Sequence, residues 1–151
     1  MKAREWLKRG AAADDKFDGL SNYWRGFNYL FAGNGHERDL ISKFLRSRVD
    51  AQFAERLLSA EAENAKVLLS QPIIDMRGNG KDTSPYIKKF DQAGSSLDKI
   101  VALFMVIYQI RCNLEHGQKS PSRDRDADLC RAACPFVAAV VDHATSQGSQ
   151  C

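Results

Sequence analysis

Long apolar runs are missing: the longest, Ile100 to Tyr108, is nine residues, whereas a bilayer-spanning helix needs roughly 18 or more. The chain is therefore expected to have no membrane span. A decisive excess of charge is lacking too, since 22 Lys+Arg against 19 Asp+Glu leave a net charge of +3. That balance permits an anionic partner without demanding one. Cysteine is confined to Cys112, Cys130, Cys134 and Cys151, and nothing else points to an oxidising compartment, so reduced thiols are expected. The basic segment Met1 to Arg9 has no apolar h-region, which makes the cytoplasm the expected location. Period-2 alternation and repeats of 20–50 residues are both absent, which argues against strands, solenoids and propellers.

What remains is period-3.6 patterning in a chain with 44% hydrophobic and 27% charged residues. At 151 residues one domain is expected, 1–151 with a core of about 15–145, burying roughly 68–70% of the surface its unfolded form exposes. The fold class is all-α: an up-and-down bundle of four to five helices, a short accessory helix and one long loop. The accessory helix runs from about Ala3 to Ala12. Asp14 or Asp15 caps the next, whose Phe17, Leu20, Tyr23, Trp24, Phe27, Leu30 and Phe31 share a face before Gly33-Asn34-Gly35 stops it. His36 to Leu69 reads as two helices or one kinked helix, broken near Ser47 to Asp50. Gln71 to Gly94 loses the pattern and reads as the long loop, with a single turn around Tyr86 to Phe90. Ser95 or Ser96 caps a helix that is apolar all round and must be covered all round, at the bundle centre or by a second protomer. A last helix spans about Asp126 to Ala144, with Pro135 kinking it or marking its start, before a frayed tail from Ser146.

Gly78-Asn79-Gly80-Lys81-Asp82-Thr83 contains a Gly-Lys pair but lacks the spacing of a phosphate-binding loop, and reads as a turn. Cys112 and His116 are four apart, as are Cys130 and Cys134. Two facing pairs would make a Cys3His zinc site, but the spacing is not that of a known zinc module, and buried thiols are the preferred reading. No metal or other cofactor is expected. The segment Ile107 to Gly117 is different, because the most apolar helix turns abruptly polar there. Arg111 is a cation that does not deprotonate and His116 titrates near neutrality. Together they suit phosphoryl chemistry without metal, the imidazole moving a proton and the guanidinium stabilising charge on phosphate. Gln109, Asn113 and His116 share a face, whereas Arg111 and His116 lie about 140° apart around an ideal axis. Convergence needs a loosened helix end, a bent Arg or a copy from a second subunit. The alternative is a helix terminus in which His116 meets the dipole and Arg111 pairs with Glu115.

Arg111-Cys112-Asn113-Leu114-Glu115-His116-Gly117 resembles the Arg-x4-6-His signature of HEPN domains (higher eukaryotes and prokaryotes nucleotide-binding). Tyr23 to Leu30 is similar to the aromatic-Phe-Asn segment of the Apea-like HEPN branch. The likeness covers about Phe17 to His143. It implies a helical bundle, a homodimer with facing Arg-His segments, and metal-independent RNA cleavage by toxin or antiviral-defence effectors, with an antitoxin or regulatory protein as a further partner. By this resemblance His116 is the acid/base, Arg111 the phosphate ligand, and Asn113 orients His116 or the phosphate. The sequence departs from the family in placing Cys112 directly after the Arg. Asn28, Glu115 and Gln109 are supporting residues, Asn28 as a buried hydrogen-bond partner or a structural cap. Lys119, Arg123 and Arg125 form the nearest basic cluster for RNA, with Arg46/Arg48 and Lys88/Lys89 further off. A non-catalytic HEPN module binding nucleotide, RNA or a protein is the alternative function.

Overall fold

The computed structural model describes residues 2–115 and 124–148. His116, Lys119 and Arg123, three of the residues singled out above, lie outside the described residues, as does Cys151. Eight α-helices are described: α1 (Lys2–Ala12), α2 (Lys16–Phe31), α3 (Glu37–Arg48), α4 (Ala51–Ala60), α5 (Ala62–Leu69), α6 (Ser84–Gln92), α7 (Ser96–Glu115) and α8 (Asp124–Gly148). The fold is all-α, and among the described residues the only β-type pairing is an isolated bridge between Ile74 and Asp82.

Local chemistry sets the helix starts. The Asp15 carboxylate accepts from the Asp18 amide at 2.8 Å and begins α2. Asp50 does the same for Phe53 at 2.8 Å and begins α4, and Ser95 Oγ accepts from the Asp98 amide at 3.1 Å ahead of α7. The stretch 36–69 holds three helices rather than two, because Glu61 leaves helical geometry (φ −114°, ψ 31°) between α4 and α5. Gln71 to Gly94 is not one loop. Pro85 sits in the first turn of α6, where its missing N–H costs nothing, and the helix then lays the half-buried Tyr86 and Phe90 against α7. The short apolar stripe of α6, with no fully buried residue, is too weak a periodic signal to stand out in sequence. At the C-terminal end α8 starts at Asp124, runs through Pro135 and continues to Gly148, past the expected fraying point at Ser146.

The long apolar helix is the axis of the fold. Residues Ile100 to Ile107 of α7 are all buried, and α7 packs on α2, α3, α4, α5, α6 and α8. Its all-round hydrophobicity is therefore satisfied by its own chain and supplies no argument for a second protomer. Trp24, Phe27 and Phe31 of α2 meet Phe44 of α3 and Phe104 of α7, with Phe27 ring centres 5.0–5.7 Å from those of Phe31, Phe44, Phe104 and Trp24. Such edge-on contacts add about 0.5–1.5 kcal/mol each beyond the area they bury. They fix α2 and α3 against the central helix. On the far side of α2, α1 approaches so closely that a Cβ on Gly26 would lie 2.9 Å from the Ala3 carbonyl oxygen.

Candidate functional site at the polar end of the central helix

The last two turns of α7 sort their polar residues by direction. Gln109 (4% exposed) and Asn113 (0%) face inward, Arg111 and Cys112 are half-buried, and Glu115 is exposed. Gln109 and Asn113, one turn apart, are joined by a hydrogen bond of 2.9 Å from Gln109 Nε2 to Asn113 Oδ1. Asn113 Oδ1 also accepts from the Met76 amide at 3.1 Å, while Asn113 Nδ2 donates to the Ile74 carbonyl at 2.9 Å. A fully buried amide with three bonds satisfies its own desolvation cost and that of the segment it holds. Asn113 thus clamps residues 73–83 across the end of α7, and its side chain is buried there rather than exposed to a phosphate; its expected role toward His116 lies outside the described residues.

The clamped segment is a tight turn, as expected for the Gly78 to Thr83 stretch. Gly78 and Gly80 take φ of 78° and 75°, a region that side chains with a Cβ avoid. Thr83 closes its base, its Oγ1 accepting from the Ile73 amide at 2.8 Å and its own amide donating to the Ile73 carbonyl at 3.1 Å. Inside it, Asp75 is buried and accepts from the Arg77 guanidinium (2.7 Å) and from Asn79 Nδ2 (3.1 Å). The Arg77 hydrogen bonds hold the Asp75 carboxyl well below the usual carboxylate range.

Arg111 does not join this inward network. Its Nη2 lies 2.6 Å from Glu115 Oε1, the i,i+4 pairing weighed from the sequence, with the arginine side chain 22% exposed and the glutamate 59%. On the neighbouring face a cleft of about 440 Å³ is lined by His36, Arg38, Arg77, Tyr108, Gln109 and Cys112, among others. Arg38, from the first turn of α3, donates to the Met105 carbonyl (3.2 Å) and to Gln109 Oε1 (3.3 Å). A buried polar line therefore runs from Arg38 through Gln109 and Asn113 to the 73–83 turn. Arg38 and Arg77 were not singled out from the sequence. Isolated arginines in a short helix and a loop carry no spacing signal; only the fold brings them to α7.

Burial pushes the Cys112 thiol up, favouring the neutral form. It likewise pushes Cys134 up to about 11. Among the described residues no three His, Cys, Asp or Glu side chains gather as a metal-binding group. Of the basic cluster, Arg125 is described: it is exposed and donates to the Gln71 carbonyl at 3.3 Å, near the start of the clamped segment. Asn28 is exposed on the outer side of α2, and its backbone carbonyl accepts from the Ala32 amide at 2.9 Å. It is not a buried partner of the site, because the face of α2 that turns to α7 is taken by Trp24, Phe27 and Phe31. No family model matches the chain, and neither does any curated protein or solved structure.

Proposed function

We propose that this protein is a metal-independent endoribonuclease of the HEPN type, working in the cytoplasm as a homodimeric toxin or defence effector. The observation that carries the reading is the state of Arg111. It is a half-buried guanidinium at the end of a rigid central helix, and its only carboxylate partner among the described residues, Glu115, is exposed to solvent. An exposed carboxylate holds an arginine weakly, and a dianionic transition state competes for it with more charge and a matching fork of oxygens. Five residues on, His116 supplies the titrating group that phosphoryl transfer from RNA requires.

In this mechanism the ribose 2′-oxygen attacks the adjacent phosphorus. His116 takes the 2′-hydroxyl proton and returns a proton to the leaving 5′-oxygen. The P–O2′ bond forms as the P–O5′ bond breaks, leaving a 2′,3′-cyclic phosphate and a free 5′-hydroxyl. Arg111 stabilises charge on the non-bridging oxygens. The buried Gln109–Asn113 pair holds the backbone of the same turn and touches no substrate.

Incubation of the protein with single-stranded RNA in EDTA tests the reading. Fragments carrying 2′,3′-cyclic phosphate ends are expected, and RNA left intact would contradict it. Tight binding of RNA without cleavage would instead support the non-catalytic module. That second reading draws on the ion-paired Arg111 and on the structural use of Asn113.

A further inference from the structure

Arg46 and Lys89 belong to separate basic clusters in the sequence, yet the fold brings them to one cleft. This groove, about 570 Å³, lies between α3, α6 and α7 and is lined in part by Arg38, Ser42, Arg46, Tyr86, Lys89 and Asp98. It adjoins the cleft at the end of α7, and Arg38 and Asp39 line both. Its charges are unequal: three cations face two carboxylates, Asp39 and Asp98, and Asp98 is already taken by Arg46 at 2.8 Å.

Arg38 is the central feature. Its guanidinium carbon lies 4.8 Å from the ring centre of Tyr86 and 4.7 Å from that of Tyr108, while two neutral oxygens accept its hydrogen bonds. No carboxylate forms an ion pair with it among the described residues. Aromatic faces and neutral acceptors orient a cation but do not neutralise it. Holding a guanidinium rigid and partly out of water without a counter-ion costs stability, and an anionic ligand would offset that cost. Lys89, 5.5 Å from the Tyr86 ring centre, likewise has no carboxylate partner among the described residues. A fixed fork, a mobile ammonium and a tyrosine wall match the two parts of a nucleotide, phosphate and base.

We infer that the α3–α6–α7 groove binds the phosphate of a nucleotide, with Arg38 as its fixed ligand and Lys89 as its mobile one. Resting on the endoribonuclease reading, it would hold a nucleotide of the RNA strand that flanks the cleaved linkage. A free mononucleotide offers the same chemistry, and the experiment separates the two.

The probes are a short fluorescein-labelled single-stranded RNA, followed by anisotropy, and AMP as competitor, both in EDTA. The protein carries Arg111→Ala so that RNA survives. Lys89 is exposed, so Lys89→Glu leaves the core untouched. It is expected to weaken RNA binding roughly tenfold, the scale of one charge-assisted phosphate contact. Arg38→Lys, which keeps the charge and loses the fork, is expected to weaken binding by a similar factor. RNA binding that AMP does not displace assigns the groove to the strand. AMP binding that Lys89→Glu abolishes assigns it to the free nucleotide. Affinity unchanged in both variants, or no binding of either probe, overturns the inference. If wild-type protein leaves RNA intact while Lys89→Glu still weakens binding, the nuclease reading fails and the groove stands.

Discussion

Replacing His116 by alanine is expected to slow RNA cleavage by about 10²–10⁴-fold, the usual contribution of a positioned acid/base group. Arg111→Ala is expected to cost about 10²–10³-fold, the range for removing one preorganised donor from a developing oxyanion. The two losses should not add, because both groups act on the same transition state. Arg111→Ala is not expected to unfold the protein. Among the described residues Arg111 is ion-paired only with an exposed carboxylate on its own helix, and such pairs contribute about 0.3–0.5 kcal/mol. Single-turnover cleavage in EDTA, with circular dichroism alongside, reads both quantities. Cleavage surviving in either variant at the wild-type rate would remove that residue from the chemistry.

Asn113→Ala is expected to destabilise the fold by about 2–4 kcal/mol, through a different mechanism. The substitution leaves Gln109 Nε2, the Met76 amide and the Ile74 carbonyl without the partner each now has. The 73–83 turn then loses its two side-chain hydrogen bonds to Asn113 of α7 and is expected to lift more readily, which would also withdraw Arg77 from the cleft it lines. Gln109 is 4% exposed and has less access to solvent. Denaturant unfolding checks the magnitude, and hydrogen exchange at the Met76 amide checks the mechanism, with protection in the wild type lost in the variant. A change under 0.5 kcal/mol with Met76 still protected would mean that Asn113 is not the clamp. Loss of cleavage in this variant without loss of stability would return Asn113 to the role the sequence resemblance implies.

The helices were legible where periodicity was strong. The stripe from Phe17 to Phe31, the break before Asp50 and the continuous buried stretch Ile100 to Ile107 of α7 all follow from spacing that only a covered helix satisfies. The helix α6 and the interruption at Glu61 were hidden, the first by its short half-buried stripe and the second because Ala60, Glu61 and Ala62 are good helix formers with no breaker among them. The spacing of Gln109 and Asn113 correctly gave a shared face. It did not say that this face was interior, because the partner of Asn113 is backbone from a segment 37 to 39 residues earlier, Ile74 to Met76. Main-chain groups look alike from any sequence. Arg38 was invisible for a related reason: its neighbours Tyr86, Met105, Tyr108 and Gln109 come from other helices. Asn28 shows the opposite failure, since a motif placed it near the chemistry and helix geometry turned it outward.

Whether Arg111 serves a phosphate or merely its own helix is the question on which the account turns, and Glu115→Gln decides it directly. This variant removes the competing carboxylate and keeps the guanidinium in place. Its initial cleavage rate on single-stranded RNA in EDTA should equal or exceed that of the wild type, while Arg111→Gln falls by about 10²-fold or more. If Glu115→Gln loses activity as Arg111→Gln does, or if neither change alters the rate, the guanidinium exists to pair with its neighbour and the proposed chemistry is wrong.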